Sequence, residues 1–466
     1  MREVTVNESF LRKSSRGLSR RDVLHGATLG IAASAAGVLP SFAYSQRPGP
    51  SAAASLPQGF SKEEYPRRWQ RLRAMMKQEG LDCIISPNWM DDEPSDVAYL
   101  TGTGGAWVVF PYEGKVAVIG GSGSGENAAG VELRPDVTDD IVGRPPSSLA
   151  TRYSPPALIA ALREKGMAKA RIGVGYLWGS RRDESVVGYM TLDPVVKAFP
   201  DAKFESAHDL MMRVRMVRSQ EEIAVMEKAT EVAEMAVQTM KNTARPGVSV
   251  LALWLAMYKT VVEASGAPPF LALEPSHVEE GRRERAPRLL GSYSNERGGP
   301  PSASERLSAG QILNQEISAR VLGYNMQVNH PICIGSPAPA GWESGAQKGI
   351  DAFNTLLDFI RPGRTVREMN ALFAKLAAFE KTDANVVFHF GDGYRMGPNR
   401  PEGQDLVVEE GWVFHTLKPQ VPLPPYTGLQ ARANGMFARF GDGVVVTANG
   451  ARRLGKRKFD VVPVGV

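Results

Sequence analysis

Histidine changes its charge near neutral pH, so the histidines are the first place to look for acid–base chemistry in this chain. Outside the first 43 residues there are five: His208, His277, His330, His389 and His415. His389 lies three residues before Asp392, and a histidine beside a carboxylate suits general acid–base catalysis. His415 lies three residues before Lys418, a spacing that points two side chains to opposite faces of a strand. We expect at least one of the five to line a polar site.

Other catalytic signatures do not stand out in the sequence. There is no Ser/His/Asp order, no glycine-rich phosphate loop and no Cys-x-x-Cys motif. The two cysteines, Cys83 and Cys333, lie far apart, which is typical of neither a disulfide framework nor a zinc site.

The elements that must position these side chains begin with an α/β domain at residues 61–210. Apolar residues at helical spacing from Trp69 to Met76 predict a helix that starts near Ser61 and ends at Gly80. Short apolar segments predict a strand at 83–85, a hairpin over 107–119 and a further strand within 168–176. Strands that alternate with helices are typical of an α/β fold.

A second domain at residues 211–466 starts with a long helix and contains an internal repeat. Ser219 and Glu222 form a capping-box pattern that opens the helix. The segment Arg245–Val250 (RPGVSV) is echoed 116 residues later by Arg361–Val366 (RPGRTV). Each copy lies between two helical patterns, with Ser or Thr placed to cap the second helix. We therefore predict a duplicated α/β unit.

The N-terminus carries the features of an export signal. Ser19–Leu24 (SRRDVL) is similar to a twin-arginine signal, an apolar stretch follows, and Ser41–Ala43 (SFA) fits a cleavage site. We expect a signal peptide at 1–43, a polar linker at 44–60, and export to the periplasm or beyond. Residues 1–43 hold six Lys/Arg and three Asp/Glu, so +3 of the formal +5 charge belongs to them and about +2 remains. We expect neither nucleic-acid binding nor stable membrane insertion.

Several motifs in fixed order carry a resemblance over about residues 62–460. They are MRVRMVRSQEEIAVMEKA, the paired RPG turns, GQILNQEISARVLGYNMQVNHPICIG, HFGDGYRMGPNRP, EEGWVFHTLKP and ARFGDGVVVTANG. Together they resemble the creatinase / Xaa-Pro aminopeptidase superfamily. The resemblance implies a creatinase-like α/β domain followed by a duplicated pita-bread domain. It also implies a homodimer, because in this family the N-terminal domain often completes the neighbour's site.

The resemblance places the family's metal-ligand positions on residues of unusual type. Two Asp, one His and two Glu of the metal-dependent members correspond here to Glu316, Gln327, Asp392, Lys418 and Gly441. An ammonium among these positions argues against a pair of divalent cations, so we expect no metal and no other cofactor. Lys418 would stand where the cations stood, neutralised by Glu316 and Asp392. Such a cluster serves either as a structural ion pair or as a polar site for a small charged substrate, with the pKa of Lys418 lowered.

The metal-free branch of the family, typified by creatinase, uses a histidine at a position that falls here on Gly299. A loop shift would be needed to bring His277 near that position.

Arg439 matches a family arginine near the substrate, and it could pair with Glu316 or bind a substrate carboxylate through two hydrogen bonds. The candidate catalytic residues are therefore Glu316, Asp392, Lys418, His389 and His415. The candidate substrate-binding residues are Gln327, His330, Arg439 and His277.

Three functions remain open, and we favour the first. It is a metal-independent hydrolase or lyase that acts on a C–N bond of a small amino-acid-like, amide or guanidino compound. The second is a non-catalytic protein that binds a small ligand or peptide on the same fold. The third is a divergent Xaa-Pro-type metallopeptidase that uses Glu316, Asp392, Asp442 and a histidine. Metal analysis of the purified protein separates the third from the others.

Overall fold

The architecture is a mixed α/β fold, seen in a computed structural model. The structure describes residues 56–57, 59–88, 94–102, 105–120, 141–144, 155–177, 187–276, 293–294, 301, 304–377, 389–390, 394–395, 405–425, 431 and 434–465. All of them belong to one compact unit, Ala52–Val466. The predicted signal peptide, its cleavage site and most of the linker lie outside the described residues.

The N-terminal domain has a six-stranded sheet with helices packed on it. Its described elements are α1 Glu64–Glu79, β1 Cys83–Pro87, α2 Asp96–Thr101, β2 Trp107–Pro111, β3 Val116–Ile119, β4 Ile141–Arg144, α3 Pro155–Glu164, β5 Arg171–Val174, α4 Tyr189–Ala198, β6 Lys203–Ser206 and α5 His208–Met216. The strand order is β4-β3-β2-β1-β5-β6, with parallel pairing of β1 with β5, β5 with β6 and β3 with β4. The predicted first helix, the strand at 83–85 and the hairpin are confirmed. The predicted domain boundary at 210/211 falls inside α5.

The second domain contributes two five-stranded sheets and a two-stranded ribbon. Its described elements are α6 Gln220–Thr243, α7 Val250–Ser265, β7 Phe270–Pro275, β8 Tyr293–Ser294, β9 Ile312–Val321, β10 Tyr324–Val328, β11 Ile332–Cys333, α8 Trp342–Phe359, α9 Val366–Ala377, β12 His389–Phe390, β13 Tyr394–Arg395, β14 Val413–Leu417, β15 Gln420–Pro422, β16 Phe437–Arg439, β17 Asp442–Thr447 and β18 Gly450–Arg453. One sheet runs β10-β9-β7-β8 with β11 on β9, the other runs β13-β12-β14-β17-β18, and β15 pairs with β16.

The internal repeat predicted from the RPG segments is confirmed by matching turn geometry. Gly247 and Gly363 both adopt φ +88°, a left-handed conformation that glycine reaches without a steric penalty. Their N–H groups bond to the carbonyls of Leu307 at 2.9 Å and Val408 at 3.0 Å. Helix α7 is then capped by Ser249 Oγ, and the first turn of α9 by Thr365 Oγ1. The two halves of the domain therefore share one local design.

A buried ion network ties the start of α6 to the N-terminal domain and to β10. The carboxylate of Glu222 accepts hydrogen bonds from the Tyr324 hydroxyl at 2.8 Å and from Arg67 at 2.7 Å. Burial by itself would raise the pKa of Glu222, but the guanidinium groups of Arg68 and Arg218 bring it down to about 2. Because Tyr324 opens β10, this network anchors the strand that carries Gln327.

Apolar burial in the second domain is strongest where α6 and α7 pack on β7 and β9. The odd-numbered residues Leu313, Ile317 and Ala319 of β9 face these helices. Cys83 and Cys333 are buried free thiols. None of the helices that the structure describes is long and apolar enough to cross a bilayer.

Candidate functional site

Two carboxylates lie on the face of the β7–β9 pair that is turned away from the helices. In this antiparallel pairing Ala272 is opposite Glu316, and Glu274 is opposite Asn314. Glu274 and Glu316 are thus diagonal neighbours on one face, close enough for their charges to interact. Two like charges so placed require a cation beside them.

Lys418 supplies the first cation. It follows the last residue of β14, and its Nζ donates to Glu316 Oε1 at 2.6 Å and to Gln327 Oε1 at 2.7 Å. Gln327 belongs to the polar face of β10, which it shares with Asn325 by the two-residue period of a strand. The structure therefore brings together Glu316 of β9, Gln327 of β10 and Lys418, which directly follows β14.

Arg439, the last residue of β16, supplies the second cation. Its NH1 lies 3.3 Å from Glu316 Oε1, and its NH2 donates to Glu274 Oε2 at 2.6 Å. Glu274, Arg439, Glu316 and Lys418 form a continuous chain of ion pairs, which we call the charge quartet. Its four formal charges sum to zero. Both terminal nitrogens of Arg439 are held by protein carboxylates, so the pairing predicted between Arg439 and Glu316 is present.

The net pKa shifts of the two cations have opposite directions, although burial lowers both. Desolvation lowers the pKa of Lys418, although Glu316 partly offsets this effect. Burial would also lower the pKa of Arg439, but the carboxylates of Glu274 and Glu316 raise it overall. Of the two cations, Lys418 is therefore the one whose environment favours loss of its proton.

Gly441 lets two chain segments approach closely beside Lys418. Its backbone pairs with Asn329 through two hydrogen bonds of 3.0 Å. A Cβ added at Gly441 would lie 2.6 Å from Asn329 Oδ1 and 2.7 Å from Lys418 Cβ, distances at which something must move. A larger side chain, including a carboxylate ligand, does not fit at this position without a backbone shift.

Asp442, the residue after Gly441, belongs to a different ion cluster. Its Oδ2 accepts from Arg453 at 2.7 Å and from Arg457 at 3.1 Å, and Arg457 also pairs with Glu234 at 3.2 Å. Arg457 donates as well to the carbonyl of Gly441. Asp442 is therefore engaged by arginines and does not contact the quartet through these bonds.

His330 is fully buried, and its ring contacts Asp460 and Phe440. Its Nε2 lies 3.5 Å from Asp460 Oδ1, and its ring packs edge-on against Phe440 with centroids 5.5 Å apart. Desolvation, reinforced by the charges of Arg457 and Lys241, lowers the pKa of His330 to about 4. A ring with no exposed surface cannot contact substrate in this conformation, so the geometry does not support the predicted binding role.

His415 is also buried, with its Nδ1 2.5 Å from the carbonyl oxygen of Asn325. The pairing of β14 with β17 shifts register between Phe414 and Leu417. Simple alternation therefore fails between His415 and Lys418, because a bulge reorients the residues that follow it.

His389 lies on β12, but its side chain is outside the described part of the structure. Asp392, His277 and Gly299 lie outside the described residues.

Glu274 is a site residue that sequence reasoning missed. It interrupts the otherwise apolar strand Phe270–Pro275 (FLALEP). A lone carboxylate in a buried strand needs a partner, because an unpaired buried charge is unstable. This rule could have indicated from the sequence that Glu274 has a partner, but it does not identify that partner as Arg439.

Two family models match most of the described part of the chain. The Creatinase/Prolidase N-terminal domain family matches residues 68–217, and Metallopeptidase family M24 matches residues 224–448. With the fold described above, they show that the chain belongs to the creatinase/aminopeptidase P superfamily. The predicted creatinase-like domain followed by a pita-bread domain is confirmed.

Individual relatives are distant. An uncharacterised hydrolase/peptidase, y4tM, of Sinorhizobium fredii is 27% identical over 382 residues, which cover 77% of this chain and 89% of the relative. The creatinase of a Bacillus species is 23% identical over 418 residues, or 86% and 92% of the two chains. Among solved structures, an Xaa-Pro dipeptidase from Bacillus anthracis aligns with a TM-score of 0.62 at 17% identity, covering 86% of this chain and all of that one.

Proposed function

We propose that this protein is a hydrolase of the M24 fold that cleaves a C–N bond of a small amino-acid-like, amide or guanidino compound, and that it works without a dimetal centre. The observation that carries the proposal is the position of Lys418. Its ammonium lies between Glu316 and Gln327, which the family resemblance makes two of the metal-ligand positions. The relatives whose names state an activity, the creatinase and the Xaa-Pro dipeptidases, support the hydrolase class.

The donor set does not fit a pair of divalent cations. An ammonium about 4 Å from a dication would oppose its binding by several kcal/mol, on the order expected for an effective dielectric near 20. Gln327 offers a neutral amide oxygen, and Gly441 offers no side chain. Among the described residues, no group of three His, Cys, Asp or Glu side chains is arranged to hold a metal ion. No step of the proposed chemistry therefore passes through a metal.

In the proposed reaction, Lys418 transfers a proton to the leaving nitrogen. Water adds to the carbon of the C–N bond, the bond breaks, and the leaving nitrogen takes a proton from the Lys418 ammonium. Lys418 then recovers a proton from the water that has added. A lysine whose pKa is lowered by burial gives up its proton more readily than an exposed lysine does. Glu316 and Gln327 orient the ammonium through their two acceptor oxygens.

The proposal is tested first by turnover after metal removal. Chelator-treated and untreated protein should hydrolyse amino-acid amides, guanidino acids or Xaa-Pro dipeptides at equal rates, and metal analysis should find substoichiometric Mn, Fe and Zn. Lys418→Met should abolish turnover. A matched control is Lys259→Met, because Lys259 is 73% exposed on α7 and should be silent. Stoichiometric metal, or loss of activity on chelation, refutes metal independence.

A second candidate is a binding protein without catalysis. It is favoured by the completeness of the charge quartet, since each cation is already held by protein oxygens at 3.3 Å or less. Such pairs also occur as static supports. Binding of the same compounds without turnover by the untreated protein would establish this function and exclude the first.

Export and homodimer formation are further parts of the proposal. The twin-arginine segment supports export of the folded protein to the periplasm or beyond. The family resemblance supports a homodimer. Cell fractionation tests the first, and light scattering coupled to size-exclusion chromatography tests the second.

A further inference from the structure

The chain segments that carry Lys418, Gln327 and Arg439 meet at one backbone pair. Asn329 and Gly441 each donate an N–H to the other's carbonyl at 3.0 Å. Asn329 follows Gln327 by two residues, and Gly441 follows Arg439 by two residues. Lys418 packs on the same pair, because a Cβ placed on Gly441 would lie 2.7 Å from its Cβ. A shift of this backbone pair would therefore move the three side chains relative to one another.

An arginine near the end of the chain, Arg457, bridges this backbone pair. Its NH2 group donates to the carbonyl of Asn329 at 3.1 Å and to the carbonyl of Gly441. Each carbonyl also accepts the backbone N–H of the other residue, so both oxygens accept two hydrogen bonds. The guanidinium therefore holds the two segments together in addition to their backbone hydrogen bonds.

Two carboxylates orient the Arg457 guanidinium. Its NH1 donates to Glu234 Oε1 at 3.2 Å and to Asp442 Oδ2 at 3.1 Å, and its backbone N–H donates to Glu234 at 2.9 Å. Arg453 is the second cation on Asp442, so two arginines balance two carboxylates. The side chain of Arg457 is only 10% exposed, and a charge so buried requires partners of opposite sign. With NH1 bound to the carboxylates, NH2 is directed at the backbone pair.

The family resemblance does not account for this arrangement. The M24 match ends at residue 448, and both Arg453 and Arg457 lie beyond it. Gly441 has no side chain, so its segment is held beside Lys418 through backbone groups. Arg457 supplies one of these contacts from a part of the chain that the family match does not include.

We propose that Arg457 is a positioning residue for Lys418, and that it keeps the Lys418 ammonium between its two acceptors by holding Asn329 and Gly441 together. The inference rests on the proposed function in taking Lys418 as the group that transfers the proton. Arg457 acts through the backbone and not through contact with substrate. A lysine cannot replace it, because NH1 and NH2 make four hydrogen bonds in one plane, whereas an ammonium has three N–H donors on one atom.

The first test observes the Lys418 ammonium directly. In protein labelled with 15N-lysine, a buried and hydrogen-bonded ammonium exchanges its protons slowly and gives its own NMR signal, which is assigned by its absence from Lys418→Met. In Arg457→Lys we expect these protons to exchange with water about tenfold faster or more, since hydrogen bonds from a charged group typically contribute that much.

Arg453→Lys is the matched control for this measurement. It is the same substitution in the same ion cluster, but the bonds of Arg453 go to Asp442 and to the carbonyl of Arg457. Its Lys418 signal should exchange as in the wild type. A role of Arg457 that is only structural, as one cation of the cluster, would give equal effects in the two lysine variants.

The second test measures turnover of amino-acid amides, guanidino acids or Xaa-Pro dipeptides. Arg457→Lys should lower kcat about 100-fold, the loss typical of a reacting group displaced by about 1 Å. KM should change by less than about threefold, because Arg457 does not bind substrate in this role. Arg453→Lys should leave both constants unchanged.

The outcomes distinguish this inference from the proposed function. Faster exchange of the Lys418 signal in Arg457→Lys but not in Arg453→Lys, with no turnover of any compound by the wild type, supports the inference and refutes the hydrolase. Turnover by the wild type with the same Lys418 exchange and the same kcat in Arg457→Lys refutes the inference and leaves the hydrolase standing. Equal effects in both lysine variants, or no slowly exchanging Lys418 signal in the wild type, also overturn the inference.

A further variant decides the question if Arg457→Lys does not fold. Glu234→Gln keeps Arg457 and an acceptor for its NH1, but it removes one of the two charges that orient the guanidinium. The Lys418 protons should then exchange faster than in the wild type, by a smaller factor than tenfold. Unchanged exchange in Glu234→Gln would overturn the inference.

Discussion

The ion pair between Lys418 and Glu316 yields a quantitative prediction. Lys418→Met removes the ammonium and keeps an unbranched side chain. Removing one partner of a buried ion pair typically destabilises a protein by about 3–5 kcal/mol. Here the cost should be smaller, about 2 kcal/mol, because Glu316 is 21% exposed and retains Arg439 at 3.3 Å.

The reciprocal change, Glu316→Gln, should destabilise more. In this variant the Lys418 ammonium, which is only 5% exposed, has the amide oxygens of Gln327 and of the introduced glutamine as acceptors, and it no longer has a carboxylate partner in Glu316. We expect a loss of about 3 kcal/mol in the free energy of unfolding. The double variant leaves no unpaired charge at Lys418, so its loss should be about 3 kcal/mol and not the sum of the two. The coupling energy is then about 2 kcal/mol.

Urea unfolding followed by tryptophan fluorescence measures the cycle. The coupling should persist in high salt, because buried pairs are poorly screened. Lys259 and Glu263 provide a matched surface cycle on α7, 3.7 Å apart and 73% and 53% exposed. Their coupling should be about 0.5 kcal/mol or less and should vanish in salt. A coupling below about 0.5 kcal/mol for Lys418 and Glu316 would refute the buried pair.

Three other predictions follow from the sequence and the structure. Gly441→Ala should lower stability by about 1–3 kcal/mol, because the new Cβ would lie 2.7 Å from Lys418 Cβ; urea unfolding measures it. His330, whose pKa falls from 6.5 to about 4 on folding, contributes stability that is complete above pH 6.5 and is lost as the pH falls through 4. Wild type should therefore lose about 3 kcal/mol more than His330→Gln between pH 7 and 4, measured by denaturation at each pH. Changing Arg20–Arg21 (RR) to two lysines should retain the protein in the cytoplasm on fractionation.

Each of these three predictions has a control variant or a result that would contradict it. Gly450→Ala is the match for Gly441→Ala, because a Cβ there meets nothing within 4 Å, and equal losses would contradict the close approach. Parallel acid profiles for wild type and His330→Gln would mean that His330 is not buried in its neutral form. Normal export without the arginine pair would exclude the twin-arginine route.

Much of the fold could be predicted because its signals are local. The capping box of Ser219 and Glu222, the stop at Gly80 and the paired RPG turns depend on backbone geometry within a few residues. The apolar spacing from Trp69 to Met76 predicted α1, and Trp69, Leu72 and Met76 are buried there. The domain boundary at 210/211 stays a prediction, and it lies within α5.

The candidate site was only partly predictable. The convergence of Glu316, Gln327 and Lys418 followed from the family resemblance, and the structure shows it. The alternation argument for His415 missed a bulge, which depends on the partner strand and not on the residues alone. His330 looked available for substrate by its position in sequence, but the surrounding rings and Asp460 bury it.

The sequence by itself therefore determined the first helix, the hairpin, the duplicated unit and the presence of a cation where the resemblance expects a metal ligand. Only the tertiary structure decided which charges meet and which of them face solvent. Glu274 and Arg439 are 165 residues apart, and nothing in either segment identifies the other. Ion pairs form between side chains that folding brings within a few ångströms, and exposure depends on every element packed around them. The pairing within the charge quartet is for that reason a property of the fold.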